Sequence, residues 1–184
     1  MPATGPFSLP QLVGYAAFLI GVVSFLQRDD RRLRAMIALQ AFSYAVHFFL
    51  LGSAIAAFAS IVTCTRALVS LYTRSPLVAL VILGVNLTFG LLTVHTAAGW
   101  LPVIASSAGT IAFFWFSGLM LRFILLGSTL CWLINNLLLG SIGGTLLELF
   151  IGVANGITCY RLWRAAPVRP SLRPPRPSHA PESA

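Results

Sequence analysis

The tetrapeptide Leu50-Leu51-Gly52-Ser53 returns unchanged at Leu138-Leu139-Gly140-Ser141, 88 positions later. Holding that offset without a gap also pairs Ala17 with Ala105, Gly21 with Gly109 and Phe25 with Phe113. Leu33-Arg34 pairs with Leu121-Arg122, and Tyr72 with Tyr160. Other positions correspond in kind: Gln40 with Ser128, Tyr44 with Trp132, His47 with Asn135. Because the matched residues mark helix ends and one helix face, the chain reads as one structural unit used twice, side by side.

Composition says which solvent that unit faces. Hydrophobic residues make up 58% of the chain and charged residues 9%, with a mean hydropathy of +0.89. Soluble domains carry about 25% charged residues, so this surface is built for lipid. Outside a polar tail, about 155 residues remain, and at roughly 20 per span plus short turns six or seven helices fit. The net charge of +8 points to nucleic acid or to anionic lipid. All twelve basic residues are Arg, and apart from Arg66 they lie between apolar runs or in the tail. That placement carries topology rather than the one-sided basic face of a nucleic-acid binder. Cys64, Cys131 and Cys159 fall inside apolar runs without CxxC spacing, as small hydrophobes and not as a disulfide or metal framework. The first ten residues carry no positive charge, while Arg28, Arg31, Arg32 and Arg34 follow the first apolar run. A cleaved signal peptide has the reverse polarity, so the first run is expected to stay as a helix with its N-terminus outside.

Taken in order, the first helix is expected over about Leu9 to Leu26, started by Pro10, with Gly14, Ala17, Gly21 and Ser24 giving it a small-residue face suited to close contact in lipid. A second runs from about Leu33 to Leu51, a third from Ala54 to Tyr72, and a fourth, without counterpart in the repeat, from Leu77 to Val94. The fifth begins near Trp100 and reaches Phe116, repeating the small face as Ala105, Gly109 and Ala112. A sixth covers about Leu119 to Leu139 and a seventh Ile142 to Trp163. Connections 1–2, 3–4, 5–6 and the tail hold Arg; the N-terminus and connections 2–3, 4–5 and 6–7 hold none. This alternation predicts seven spans, N-terminus outside and C-terminus inside. The expected fold is all-α and integral to the membrane. Residues 1–164 form one transmembrane domain: repeat 9–72, linker helix 77–94, repeat 100–163. The linker gives both triplets the same orientation, so the repeat is parallel. Residues 165–184, rich in Pro and Arg, read as a disordered cytoplasmic tail, with arginines near anionic headgroups.

Polar side chains at membrane depth need a reason, since helices satisfy their own backbone. On the seventh helix Thr145, Glu148, Gly152, Asn155 and Cys159 form one stripe. Asn155 falls near mid-membrane, and Glu148 about 10 Å further out. Ser128, Trp132 and Asn135, with Asn136 beside them, form another on the sixth helix. The repeat expects a partner on the second helix, and Gln40, Tyr44 and His47 provide it; the third offers Ser60, Thr63, Ala67 and Ser70. An ionised Glu148 facing hydrocarbon would cost at least roughly 2.5–3.5 kcal/mol, so it must face a cavity, find a partner or stay protonated. His47 reads either as a proton-sensitive group or as an interfacial donor. Arg66 is expected to snorkel to the cytoplasmic headgroups, with pairing inside the bundle as the other reading. Asn86 and Gly90 read as a packing contact. Catalysis lacks support: there is no HExxH, no Gly-rich phosphate loop and no convincing Ser-His or Cys-His set. The chain is expected not to be an enzyme and calls for no cofactor or metal.

A triplet, a linking helix and a second parallel triplet resemble the SWEET sugar transporters and their PQ-loop relatives. That resemblance implies a substrate between the triplets, alternating access, and a pocket lined by an aromatic of a triplet's second helix and an Asn of its third. Trp132 with Asn155, or Glu148, fits that description; Tyr44 with Ser60 or Thr63 forms the other half. The third helix carries no Asn, so sugar specificity does not carry over. The fragments GYAAFLIGVVSF, QRDDRRLR, AVHFFLLGS and WLINNLLLGSIGG, within residues 12 to 163, resemble the YgjV-type bacterial inner-membrane proteins. This implies a multi-pass protein of the bacterial inner membrane and supplies no mechanism. The expected function is a small-solute transporter or facilitator. Tyr44 and Trp132 would bracket the solute, Asn135 and Asn155 hydrogen-bond it, His47 line the same stripe and Glu148 carry a proton. The alternative is a ligand sensor or partner subunit without flux. Expected partners are membrane lipid and an unidentified small polar solute, not nucleic acid, with a homo-oligomer left open.

Overall fold

The computed structural model describes residues 5–25, 30–73 and 75–165. Most of the charged first connection and the expected disordered tail lie outside the described residues. Those described form seven α-helices: α1 (Leu9–Phe25), α2 (Asp30–Leu50), α3 (Ala54–Val69), α4 (Pro76–Thr93), α5 (Trp100–Trp115), α6 (Gly118–Leu138) and α7 (Ile142–Ala165). The protein is all-helical, and each expected helix is present, with ends shifted by at most three residues.

Local sequence explains the ends. Gly52 and Gly140 stop α2 and α6 with φ of 81° and 66°, a left-handed conformation that glycine adopts without steric penalty. The two turns then carry the same hydrogen bonds. Ser53 N donates to Phe48 O and Ser141 N to Asn136 O, both at 2.9 Å. The next helix is capped in each case by the serine hydroxyl, which accepts from Ala56 N at 3.4 Å or from Gly144 N at 3.2 Å. Such a cap satisfies one of the free N–H groups of a helix start. Pro76 opens α4, where its missing N–H is not needed.

Helix α2 packs between α1 and α3, and α6 between α5 and α7. Two further seams join these groups: α1 lies along α7, and α3 along α5. Helix α4 rests on α5 and α3. Asn86 anchors it by donating to Val103 O at 3.0 Å and to the Ser106 and Ser107 hydroxyls at 2.8 and 2.9 Å. Phe58 of α3 stacks on Phe89 of α4 with centroids 3.7 Å apart. Asn86 is thus a packing residue, and Gly90 gives room to Val103 and Trp100.

The distribution of side chains is the inverse of a soluble protein. Large apolar residues such as Leu19, Phe42, Phe49, Leu91, Phe123 and Val153 are exposed. The interior instead holds Gln11, His47, Arg66, Asn86, Asn135, Asn136 and Asn155 among many alanines. Exposed apolar surface on this scale marks contact with something other than water, and alanine-rich seams let helices approach closely in lipid. The closest approach is between α1 and α7: a methyl group on Gly143 would overlap the backbone of Gly14 and Tyr15. By length and composition α4, α6 and α7 can cross a membrane, whereas the apolar parts of α1, α2, α3 and α5 are 16 or 17 residues long.

Candidate functional site

Gly52 and Gly140 mark the turn end, which also holds the start of α1. Arg34 and Arg122 mark the opposite, arginine end. Between them lies a cavity of about 510 Å³, lined by α1, α2, α3, α5, α6 and α7. That volume is within the range of small-molecule sites, about 300–1,000 Å³. Its polar residues are the ones that helical periodicity turned inward: Gln40 and Tyr44 on α2, Ser60 and Thr63 on α3, Ser128 and Trp132 on α6, Glu148 and Asn155 on α7.

An aromatic stack roofs the cavity at the turn end. Phe48 of α2 and Trp132 of α6 lie nearly parallel, 9° apart with centroids at 5.8 Å, and Tyr44 stacks on the other side of Phe48. Above this roof a latch joins α1 and α2 to the α6–α7 turn. The Gln11 amide donates to Gly140 O at 2.6 Å and accepts from Ile142 N at 3.1 Å. The His47 ring reaches Pro10 O at 2.6 Å through Nδ1 and the Ser141 hydroxyl at 2.7 Å through Nε2. Gln11 is 1% and His47 0% exposed. Three of these four hydrogen bonds run from α1 and α2 to the α6–α7 turn, and the fourth joins α2 to α1.

Midway down, Glu148 of α7, Thr129 of α6 and Tyr44 of α2 line the same stretch of the cavity. At the arginine end, Arg122 Nη1 donates to Asn155 Oδ1 at 3.2 Å, and Asn155 Nδ2 donates back to Arg122 O at 3.1 Å. Arg66 lies between α3 and α5 at 8% exposure, its guanidinium 4.7 Å from the centre of the Phe113 ring. Gly109, one turn before Phe113, leaves the space its Nη1 occupies. The expectation that Arg66 snorkels to the headgroups is corrected: the missing side chain at Gly109 and the Phe113 face draw it inward. Phe48 and Asn136 of the roof are buried and Trp132 is half-buried, as are Ile37, Leu121 and Thr158 at the other end.

Tyr44, Trp132, Glu148 and Asn155 meet in this cavity; His47 and Asn135 do not line it. His47 is taken up by the latch. Asn135 is buried beside the cavity, and its neighbour Asn136 lines it instead, since one residue along a helix turns the side chain by about 100°. Sequence reasoning missed Gln11, Phe48, Thr129 and Ser141. Gln11 left a signal, as a lone amide in the first turn of an otherwise apolar helix. Among the described residues no group of three or more His, Cys, Asp or Glu converges on a point where a metal could sit.

Comparison with known proteins adds the family. The family model of Imp-YgjV, described as a bacterial inner membrane protein, matches residues 8–166. The inner membrane protein YgjV of Escherichia coli (strain K12) is 39% identical over 156 residues, 85% of this chain and 85% of that relative. No solved structure matches. An apolar exterior is what such a location demands, and by the match over nearly all its helices this chain belongs to the Imp-YgjV family of bacterial inner membrane proteins.

Proposed function

We propose that the protein is a small-solute transporter or facilitator, with its site in the cavity between the helix triplets α1–α3 and α5–α7. The observation that carries this reading is a cavity that spans both triplets, takes polar side chains from each and is latched at one end. Alternating access needs such a one-sided site between two bodies that can move against each other.

Several features support two parallel repeats. The turns after α2 and α6 agree bond for bond at the 88-residue offset. Under the same offset the α1–α7 seam corresponds to the α5–α3 seam, as a pseudo-two-fold axis along the membrane normal requires. Arginine placement assigns the arginine end to the cytoplasm and the turn end to the outside. Seven spans follow, the shorter helices being accommodated by their turns and by local thinning of the bilayer. The latched end faces outside in this arrangement. Trp132 and Tyr44 bracket a solute, Asn155 orients it, and Glu148 carries a proton; no chemistry is performed on it.

The test is flux in liposomes that contain the purified protein, screened over small polar solutes. Trp132→Ala and Asn155→Ala should each lower flux without loss of insertion. Unchanged flux in the double variant would remove this cavity from consideration. A second reading, a ligand sensor or partner subunit, draws on the reciprocal Arg122–Asn155 pair, which already uses the amide that a solute needs. Saturable binding without flux would select it.

A further inference from the structure

The cavity carries a charge that its sequence pattern did not announce. Three of its linings are ionisable at opposite ends: Arg66 and Arg122 toward the arginine end, and Glu148 nearer the roof. Their depths follow from the helices. Both α3 and α7 start at the turn end, because His47, near the first turn, bonds Ser141 of the second. Arg66 is twelve residues into α3 and Asn155 thirteen into α7, about 18 and 20 Å down at 1.5 Å per residue. Glu148 is six residues into α7, about 9 Å down. Arg122 is bonded to Asn155 and so shares the deeper level. Two guanidinium groups thus sit at one depth, and the carboxylate lies about 9–10 Å away along the axis.

Arg66 is the informative member. Its Nε and Nη1 are buried without a hydrogen-bond partner among the described residues. A buried cation left in this state is costly unless something compensates it. Phe113 supplies only a ring face. A guanidinium with donors left over calls for an anionic acceptor such as a carboxylate or phosphate. Resting on the reading of this cavity as a solute site, we infer that the solute is a small water-soluble oxyanion, a carboxylate or phosphate compound, held between Arg66 and Arg122. Thr63, one turn before Arg66 on the same face and lining the same cavity, sits beside it. Its hydroxyl donates to Ala59 O at 3.0 Å. The Arg122–Asn155 pair pre-positions the second guanidinium, so that the ligand completes a site instead of assembling one.

The test is a thermal-shift titration of the full-length protein in neutral detergent, with sodium succinate, inorganic phosphate and glucose as probes and sodium chloride at matched ionic strength. Succinate or phosphate should raise the melting temperature, and glucose should not. Arg66→Gln should weaken the anion's apparent affinity by on the order of 10- to 100-fold, the loss of charge-assisted hydrogen bonds; Arg66→Lys, which keeps the charge, should keep the preference for anions. If Arg66→Gln does not insert, Arg122→Gln takes its place in the same titration with the same expected direction. Stabilisation by glucose alone, equal anion affinity in the Gln variants, or no response to any probe would each overturn the inference. Stabilisation only by phosphatidylglycerol added to the micelles would assign the arginines to a lipid headgroup and overturn it too. Flux separates this from the broader reading: anion binding without transport leaves the oxyanion site standing, and transport of a neutral solute alone leaves only the transporter.

Discussion

Gln11→Leu isolates the latch, because leucine fills nearly the same volume and removes only the amide. Two hydrogen bonds disappear, one to Gly140 O and one from Ile142 N. Gly140 is exposed, so water can replace the amide there, and the smaller net value of a hydrogen bond applies, about 0.5–1.5 kcal/mol each. The pair then contributes about 1–3 kcal/mol, and this falls on the latched state alone, since both groups are hydrated once the turn end parts. The latched-to-open ratio should drop about 5- to 150-fold. Thiol accessibility can read this. Ser60→Cys places a near-isosteric probe on the cavity wall, in a background with Cys64, Cys131 and Cys159, all unbridged, replaced by serine. A membrane-impermeant maleimide is added to right-side-out spheroplasts, from the turn side. Labelling should be slow with Gln11 present and faster by that ratio in Gln11→Leu. An unchanged rate in a variant that inserts and melts normally would refute the idea that this amide holds the end shut.

Three other outcomes follow from packing. Gly143→Ala should lower the melting temperature markedly, because its methyl meets the Gly14 backbone, which has no rotamer to yield; overpacking of this kind costs about 1–3 kcal/mol. Asn86→Leu should loosen α4 by leaving Val103 O and two serine hydroxyls without their donor, seen as faster proteolysis of the 3–4 and 4–5 connections with the α1–α7 seam intact. Gly52→Ala and Gly140→Ala should each cost about 1–2 kcal/mol from the left-handed backbone they must keep, and about equally, measured as matching drops in melting temperature.

Helix number and helix ends were legible because they rest on local chemistry. Glycine at positive φ, proline in a first turn and arginine outside apolar runs act within a few residues of themselves. The inward faces were legible for the same reason, as Tyr44, Trp132, Glu148 and Asn155 meet in one cavity. What was not legible depends on which helix lies opposite. His47 shares the stripe of Tyr44, yet its ring is taken by Pro10 and Ser141, and nothing local says that α1 and α7 start beside it. Asn135 and Asn136 are adjacent amides, and only the rotation of α6 against its neighbours decides which one sees the cavity. Arg66 looked like a snorkelling residue because its cradle, Gly109 and Phe113, is on a helix more than forty positions further along.

The Gly14–Gly143 crossing has a consequence for how any motion would proceed. Most helix seams slide by small steps as side chains swap rotamers, so they have a continuum of intermediate positions. Here main chain rests on main chain, with nothing in between to flex or interdigitate. Such a joint behaves like a switch: the first and last helices are either in register and touching or separated enough for lipid or water to enter. A molecule hinged on it would spend its time in two discrete arrangements and very little in transit.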